Sequence, residues 1–295
     1  MKKLFIASFL LASVSMSLMA ISPYLKVEAF SGNIQEPSTI IKSVLEQEGF
    51  EVIGSYSPEA NNNLHVIVYT SSDLQKLCLQ ASDRGMLAGA LKVSLQYVDE
   101  TLQVSMLNPE YLFYAYFRDQ MDDPSFKAEA IKISEKAKSA MGGIGTEMTP
   151  FGGDVPIEDL KKYKYMAGMP KFDDPIELGE FGSFDEAVAT INGNLSKGTG
   201  STVKVFEIIR EREQIAVFGV GLHDQESGEA KFLPIIGEDH IAAMPYEIIV
   251  QGNEVTMLHG RFRFASHWPE LTMKTFTKIM SSPGDVKDVM KLLVE

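Results

Sequence analysis

The sequence predicts an α+β protein made of two related halves, each an antiparallel sheet with packed helices. Three observations support this prediction. Pairs of short apolar runs recur as hairpin-like units, amphipathic helical patterns separate them, and a segment rich in glycine and proline, 141–182, divides the chain. Antiparallel sheets with helices packed on one face satisfy this order. We therefore expect a first domain over 30–140, a packed linker over 141–182 and a second domain over 183–295.

The chain begins with a segment typical of a secretory signal peptide. Lys2 and Lys3 give it a positive start, and residues 4–19 carry no charge. The only cysteine is Cys78, so no cysteine follows the apolar stretch to carry a lipid anchor. We expect removal of a signal peptide over 1–20, with the cleavage point itself left open. The mature protein is then periplasmic or secreted and has no stable membrane span.

The charge of the chain favours small molecules, cations or proteins as partners. The formal charge is −13, and loss of Lys2 and Lys3 with the signal peptide makes it more negative. Such a charge repels nucleic acid and anionic membrane surfaces at long range, so we expect no nucleic-acid partner. The simpler explanation of the acidity is that it keeps an exported protein soluble. With 45% apolar residues and a single cysteine, stability must come from packed cores rather than an internal disulfide.

The first half alternates helices with hairpins. Its predicted elements are a helix from Pro37 to Gly49, strands at 50–56 and 64–69, a helix at 72–83, strands at 91–97 and 102–106, a helix opening at Pro109 and a helix at 126–141. Within the helix at 72–83, Cys78 shares an apolar face with Leu74 and Leu77. This placement favours a buried thiol over a nucleophile, which would need a nearby base.

The second half repeats this order. Its predicted elements are a helix from Ser183, strands at 203–210, 214–220, 246–250 and 254–264, and helices at 269–280 and 285–293. The turn at Asp99-Glu100 can be laid over Gly252-Asn253, with apolar strands on both sides. The shared order of helices and hairpins, rather than sequence identity, is the evidence for internal duplication.

Short segments of both halves match those of a known family. In the first half they are Glu48-Gly49-Phe50-Glu51-Val52, Leu91-Lys92-Val93, Asp99-Glu100, Val104-Ser105 and Asn108-Pro109-Glu110-Tyr111-Leu112, and in the second half Ala243-Met244-Pro245-Tyr246-Glu247-Ile248. On these segments the chain resembles the family catalogued as domain of unknown function 302, with the second copy more divergent. The resemblance implies a compact α+β domain that associates in pairs, which would make the protein a homodimer. It supplies no catalytic residues.

The sequence lacks the motifs of common metal, redox and nucleotide enzymes. One cysteine excludes paired-cysteine zinc and dithiol motifs, and no His-Glu-x-x-His segment is present. Gly219-Val220-Gly221 lacks the third glycine of a dinucleotide fingerprint, and no glycine-rich loop ends in Gly-Lys-Ser or Gly-Lys-Thr. The scattered histidines show no spacing that requires them to converge on a metal. We expect neither a resident metal nor a cofactor.

The strand predicted over 254–264 places His259, Arg261 and Arg263 on one face. Guanidinium groups bind carboxylate, sulfate or phosphate through charge-assisted hydrogen bonds. These three residues are therefore the candidate ligand-binding residues, and a small anion is the candidate ligand. The alternative, which we favour because surface ion pairs are frequent, is that the arginines pair with nearby Asp or Glu.

Aromatic side chains cover almost every side of the helix that opens at Pro109. Tyr111, Tyr114 and Phe117 are the candidate interaction residues on it. Such a surplus fits a dimer contact, a junction between the halves or an apolar ligand pocket, whereas ordinary core packing is the simplest explanation.

Three functions compete at this point. The leading hypothesis is an envelope binding or interaction module, with a ligand between the halves or against the face of the three basic residues. The second is an enzyme for a small anionic substrate, whose acid and base groups converge only in the fold, such as His259 with Glu254 or Asp239. The third is a structural envelope protein whose aromatic helix contacts a partner.

Overall fold

The computed structural model describes residues 19–31, 35–81, 83–145, 148–163, 166 and 168–295. Most of the predicted signal peptide lies outside this part of the chain. The described residues form antiparallel sheets with packed helices, so the predicted α+β class is confirmed. Within the same residues, no helix has the length and apolarity required to cross a membrane.

Strands and helices alternate along the described part of the chain. The strands are β1 (Ala20–Ile21), β2 (Tyr24–Ser31), β3 (Glu51–Tyr56), β4 (Leu64–Thr70), β5 (Leu91–Val98), β6 (Thr101–Leu107), β7 (Thr149–Phe151), β8 (Val155–Pro156), β9 (Ile176–Glu180), β10 (Thr202–Arg210), β11 (Ile215–Leu222), β12 (Tyr246–Gln251) and β13 (Glu254–Met257). The α-helices are α1 (Gln35–Gln47), α2 (Ser72–Gln80), α3 (Pro109–Phe117), α4 (Pro124–Gly142), α5 (Ile157–Lys161), α6 (Phe184–Ser196), α7 (Leu233–Ile236), α8 (Gly260–His267), α9 (Met273–Phe276) and α10 (Ser282–Lys291). Short 3₁₀ turns connect several of them, and one of these, Glu238–Ala243, borders the candidate site.

The two large sheets have equivalent strand orders apart from β7, an additional edge strand of the first sheet. The first sheet runs β3-β4-β5-β6-β2-β7, and the second runs β10-β11-β12-β13-β9. In each sheet a first strand is followed by a helix, α1 or α6, and the chain then enters the far edge and returns strand by strand. The segment predicted as a linker contributes β7 to the first sheet and β9 to the second, while its β8 pairs with β1.

The predicted hairpins form where the turn chemistry is clear. Asp99 and Glu100 have φ angles of 47° and 62°, the left-handed region that a tight turn between twisted strands requires. Gly252 occupies the same region at 62° in the turn between β12 and β13. Two helices begin at N-cap residues that the sequence shows. The side chains of Asn108 and Ser183 accept hydrogen bonds from backbone N–H groups in the first turns of α3 and α6.

The strand predicted over 254–264 is wrong beyond Met257. Strand β13 ends there, and helix α8 begins at Gly260 with His259 as its N-cap. The Nδ1 atom of His259 accepts a hydrogen bond of 3.2 Å from the backbone N–H two residues later. Gly260 packs against α10, where a Cβ atom would lie 2.9 Å from the side chain of Pro283. This long-range contact stabilises a helix where local alternation predicts a strand.

Other boundaries also differ from the prediction. The helix predicted over 269–280 is reduced to α9, at Met273–Phe276, and a short 3₁₀ turn, because α8 already ends before Pro269. A proline lacks the N–H group needed to continue a helix. Helix α2 ends at Gln80, and strand β2 was not predicted at all. The helices predicted from Pro37, Pro109 and Ser183 and at 285–293 are confirmed within one turn.

The two sheets touch at their edges. Strand β3 lies at the edge of the first sheet and β10 at the edge of the second, and the two strands are in contact. Both strands have a register irregularity there, between Val52 and Gly54 and between Lys204 and Phe206. A Cβ atom on Gly54 would lie only 2.0 Å from the carbonyl oxygen of Val205. The absence of a side chain at Gly54 therefore allows the two edges to meet.

We expect Gly54→Ala to destabilise the contact between the halves. Overpacking typically costs about 1–3 kcal/mol, and a fixed backbone oxygen leaves the new methyl group little room to relax. The control is Gly193→Ala in α6, whose Cβ atom would meet nothing within 4 Å. Urea unfolding should show a large loss of stability for Gly54→Ala and none for Gly193→Ala. Gly193→Ala lies within α6, so it should gain up to about 1 kcal/mol from helix propensity. A Gly54→Ala protein as stable as the wild type would contradict the edge contact.

Candidate functional site

A polar cleft lies between the first sheet and the Glu238–Ala243 turn of the second half. Its volume is about 220 Å³. It is lined by Lys26, Ser94, Gln96, Gln103, Ser105, Phe151 and Asp239. The turn packs on β4, β5 and β6, so residues from both halves form the walls.

The floor of the cleft is a small array of polar side chains on central strands. In the register of β5 and β6, Ser94 pairs with Ser105 and Gln96 pairs with Gln103, so all four share one face. Ser94 and Ser105 are only 3% and 8% exposed. Apolar side chains such as Val93 occupy the other face. Polar residues buried at the centre of a sheet are the informative exception to apolar packing.

Several polar groups of this array have free hydrogen-bonding capacity. The hydroxyl of Ser94 donates to the carbonyl oxygen of Ser105 at 3.3 Å, and the amide of Gln96 donates to Glu238 at 3.3 Å. Among the described residues, the side chains of Gln103 and Ser105 have no hydrogen-bond partner. The cleft therefore offers an amide and a hydroxyl to a bound molecule.

A cation and a carboxylate complete the lining. Lys26 lies on β2 opposite Ser105, and within the described part of the chain it forms no ion pair. Asp239 comes from the second half, and its side chain is 54% exposed. Burial acts to raise the pKa of Asp239, but the hydrogen bond and charge of His240 lower it below its usual value. Asp239 is therefore ionised at neutral pH.

His240 anchors Asp239 beside the cleft. Its Nδ1 atom lies 2.8 Å from Oδ1 of Asp239. The buried imidazole packs edge-on against Tyr24 and Phe151, with centroid distances of 4.8 and 5.7 Å, and stacks on Trp268 at 5.8 Å. A buried ring held on three sides fixes the backbone of the turn, so the position of the adjacent carboxylate is determined by packing.

The three predicted ligand-binding residues do not share a face. His259 is half-buried as the N-cap of α8, Arg261 is exposed, and Arg263 is 2% exposed. The basic strand face is therefore wrong, because the strand that would create it is a helix. The proposed pairing of His259 with Asp239 is not formed in the structure, since the imidazole beside Asp239 is that of His240.

Arg263 belongs instead to a buried charge triad between the halves. Glu247 accepts from Lys92 at 2.6 Å through one carboxylate oxygen and from Arg263 at 3.1 Å through the other. Arg263 also donates to two backbone carbonyls before β12 and lies 3.9 Å from the centroid of the Tyr246 ring. Burial lowers the pKa of Lys92 despite the opposing effect of Glu247. The ion pairing that was the favoured alternative for the arginines thus occurs at Arg263, in a buried setting.

The aromatic helix α3 also lies at the junction. Tyr111, Tyr114 and Phe117 are all buried within the chain. The hydroxyl of Tyr111 donates to the carbonyl oxygen of Ser266 in α8 at 2.7 Å. The hydroxyls of Tyr24 and Tyr163 donate to the two neighbouring carbonyls, those of His267 and Ala265. Three tyrosines, of which only Tyr111 is a candidate interaction residue, thus donate to carbonyl groups at the end of α8. Tyr114 and Phe117 contact Lys127 and Phe126 of α4 within the first half. Association in pairs stays a prediction.

A second buried carboxylate joins the halves on the other side. The ring of Tyr56 packs beside Gly221, where a Cβ atom would lie 2.7 Å away, and its hydroxyl donates to Glu229 at 2.8 Å. The backbone N–H groups of Glu59 and Leu222 also donate to Glu229, at 3.0 and 3.2 Å. Burial raises the pKa of Glu229 to about 7. Burial and the nearby Glu238 raise the pKa of Glu59 to about 7 as well.

Other features of the described residues are less suited to bind a ligand or to carry out chemistry. A larger groove of about 550 Å³ between α2 and α4 is lined mainly by exposed charged side chains such as Lys76, which pairs with Asp73 at 3.7 Å. Cys78 is buried, as predicted, and burial raises the pKa of its thiol well above the usual value. In the described part of the chain, no three His, Cys, Asp or Glu side chains form a group suited to hold a metal.

Sequence reasoning missed the cleft, although one signal was available. Residues 91–96 alternate apolar and polar, which places Lys92, Ser94 and Gln96 on one face of a strand predicted to lie inside a sheet. That alternation could have marked a polar sheet face. The contribution of Asp239 could not have been found, because its position depends on packing between the halves.

Comparisons with known proteins identify little similarity. No protein-family model matches the chain, and no curated protein matches it. Among solved structures, the chain is similar to the crystal structure of an uncharacterised conserved protein, DUF302, from Bacillus stearothermophilus. The two share 18% sequence identity with a TM-score of 0.30, over 40% of this chain and 93% of the other.

Proposed function

We propose that this chain is an exported, soluble binding module that holds a small polar ligand in the cleft between its halves. The observation that carries the proposal is the polar array on β5 and β6, in which Ser94 and Ser105 are buried and Gln96 and Gln103 are partly buried, with Lys26 and Asp239 beside it. The side chains of Gln103 and Ser105 have no hydrogen-bond partner among the described residues, and polar groups that line a cleft are typically satisfied by a ligand or by ordered water. The charged N-terminal start and the apolar run after it support export.

We further infer that the two halves are related copies. The equivalent strand orders of the two sheets, each with a helix after the first strand, support this inference. A duplicated fold creates a new junction between the copies, and ligand sites occur preferentially at such junctions.

Catalysis by the Asp239–His240 pair is the second candidate, because a carboxylate that orients an imidazole is the arrangement of a general base. The geometry favours binding. The Nε2 atom of His240 is buried and has no hydrogen-bond partner among the described residues, and its nearest charged group is Glu270 at 3.6 Å. Because the Nε2 atom of His240 is buried in this conformation, a substrate cannot reach it, and the imidazole positions Asp239 rather than acting as a base.

Filling the cleft should abolish ligand retention. In Ser105→Leu the larger side chain would occupy the floor, whereas Ser43→Leu places the same change at an exposed position of α1. The measurement is native mass spectrometry of each protein purified from its own host, against the denatured mass. We expect the wild type and Ser43→Leu to retain the same added mass and Ser105→Leu to lose it. A circular dichroism spectrum checks that each variant folds.

Two outcomes would contradict this function. Added mass that survives in Ser105→Leu places the ligand elsewhere. Added mass absent from all three proteins means that the cleft retains no ligand.

A further inference from the structure

The charges in the cleft restrict the chemistry of its ligand. Among the described residues that line the cleft, Lys26 is the one lysine or arginine and Asp239 is the one carboxylate. Each belongs to a different half, and each has unused capacity. Lys26 has no ion-pair partner among the described residues. Only Oδ1 of Asp239 is engaged by His240, while a carboxylate can accept about four hydrogen bonds.

A ligand with a single charge would satisfy only one of these groups. A simple anion would pair with Lys26 but would face the ionised Asp239, and like charges in a confined space repel. A simple cation would pair with Asp239 and meet the ammonium group of Lys26. A molecule that carries both charges satisfies both groups at once and brings no net charge into the cleft.

The remaining lining indicates a compact molecule with a polar substituent. The free groups of Gln103 and Ser105 can bind a hydroxyl or amide. Phe151 provides an apolar wall for a short carbon chain. The volume of about 220 Å³ is smaller than the roughly 300–1,000 Å³ typical of pockets for drug-sized ligands. The site therefore fits a molecule of amino-acid size.

We propose that the ligand is a small zwitterion, an amino acid or a related aminocarboxylate. Its carboxylate binds Lys26, its ammonium group binds Asp239, and its polar substituent binds the Gln103 and Ser105 side chains. This proposal rests on the proposed binding function and specifies its ligand class. The carboxylate of such a ligand corresponds to the small anion that the sequence offers as a candidate ligand.

Three probes of similar size separate the two charges. L-serine carries both, 3-hydroxypropionate lacks the ammonium group, and ethanolamine lacks the carboxylate. Affinities are measured by isothermal titration calorimetry on the full mature chain. We expect L-serine to bind at least about tenfold more tightly than either single-charge probe, which corresponds to about 1.4 kcal/mol.

Two isosteric or nearly isosteric variants assign the charges to residues. Lys26→Gln should weaken the binding of L-serine at least about tenfold. It should leave the binding of ethanolamine no weaker, because ethanolamine has no carboxylate for Lys26 to bind and its ammonium group is repelled by that of Lys26. Asp239→Asn keeps a side-chain oxygen that can accept a hydrogen bond from His240. It should weaken the binding of L-serine at least about tenfold and leave the binding of 3-hydroxypropionate no weaker. Lys197→Gln, at an exposed position of the second half, is the control and should change nothing.

The outcomes separate this proposal from the proposed function. Equal affinity for L-serine and 3-hydroxypropionate, with no effect of Asp239→Asn, overturns the zwitterion and leaves a binding cleft. The zwitterion is likewise overturned, and the binding cleft kept, if the wild type retains a molecule that Ser105→Leu loses and that molecule lacks either an amine or a carboxylate. If no probe binds and no mass is retained, both proposals fail.

Discussion

Glu247→Gln is expected to lower the free energy of unfolding by about 3–5 kcal/mol, the usual cost of removing one partner from a buried ion pair. Lys92 and Arg263 are 2% exposed each, and Glu247 is the carboxylate that both contact. The substitution leaves two buried cations with a neutral amide between them. Chemical unfolding in urea measures the loss. The cost should exceed that of Lys92→Met, which leaves the pair of Glu247 with Arg263 intact.

The control and the rescue make this prediction specific. Glu213→Gln removes an exposed partner of Arg210, and we expect almost no change because surface ion pairs contribute little. Lys92→Met combined with Glu247→Gln should be more stable than Glu247→Gln alone, since one buried charge is removed. A Glu247→Gln protein as stable as the Glu213→Gln protein would show that the triad does not hold the halves together.

The second large effect is a pH dependence of stability due to Glu229. Burial raises its pKa from 4.5 to about 7, so the folded state holds this proton more tightly than the unfolded state. The stabilisation is present at and below pH 4.5 and is lost as the pH rises through 7. At about 1.36 kcal/mol per pH unit, the loss is about 3 kcal/mol. Glu59 changes the stability in the same direction, but it is half-exposed, so solvent screening reduces its contribution to the pH dependence.

A difference between variants isolates this effect. Burial, together with Arg263 and Lys92, lowers the pKa of His267 well below 6.5, and this histidine makes the fold less stable as the pH falls. His267 is unchanged in Glu229→Gln, so its contribution cancels when the two unfolding free energies are subtracted. The stability of the wild type relative to Glu229→Gln should fall by about 3 kcal/mol between pH 4.5 and about 8. Glu226→Gln, at an exposed turn, should follow the wild type. A constant difference for Glu229→Gln would contradict the buried bridge.

Local chemistry determines how much of the fold the sequence predicts. The turn at Asp99 and Glu100 and the cap at Asn108 depend on neighbouring residues, so the adjoining hairpin and helix are predictable. Alternation at His259, Arg261 and Arg263 is equally local, yet it predicts the wrong element. The helix there depends on Gly260 packing against α10, a contact that no local pattern reveals.

The candidate site depends even more on distant contacts. The polar face of β5 is visible in the sequence, but its role requires the turn that carries Asp239 to lie over it. The partner of Lys92 is Glu247, 155 residues away in the chain. Tyr111 belongs to the aromatic surplus that the sequence shows, but its hydroxyl donates to Ser266 in α8, a helix whose first residues the sequence predicts as a strand. These polar, charged and tyrosine side chains are visible in the sequence, but only the fold brings them together.

An NMR titration with L-serine tests the central claim, a binding cleft between the halves, most directly. Backbone amide shifts are followed in the ¹⁵N-labelled mature protein as the probe is added. The account predicts saturable shifts confined to β2, β5, β6 and the Glu238–Ala243 turn, and their loss in Ser105→Leu. Shifts centred on the groove between α2 and α4, or no saturable shifts in the cleft together with no retained ligand, would contradict it.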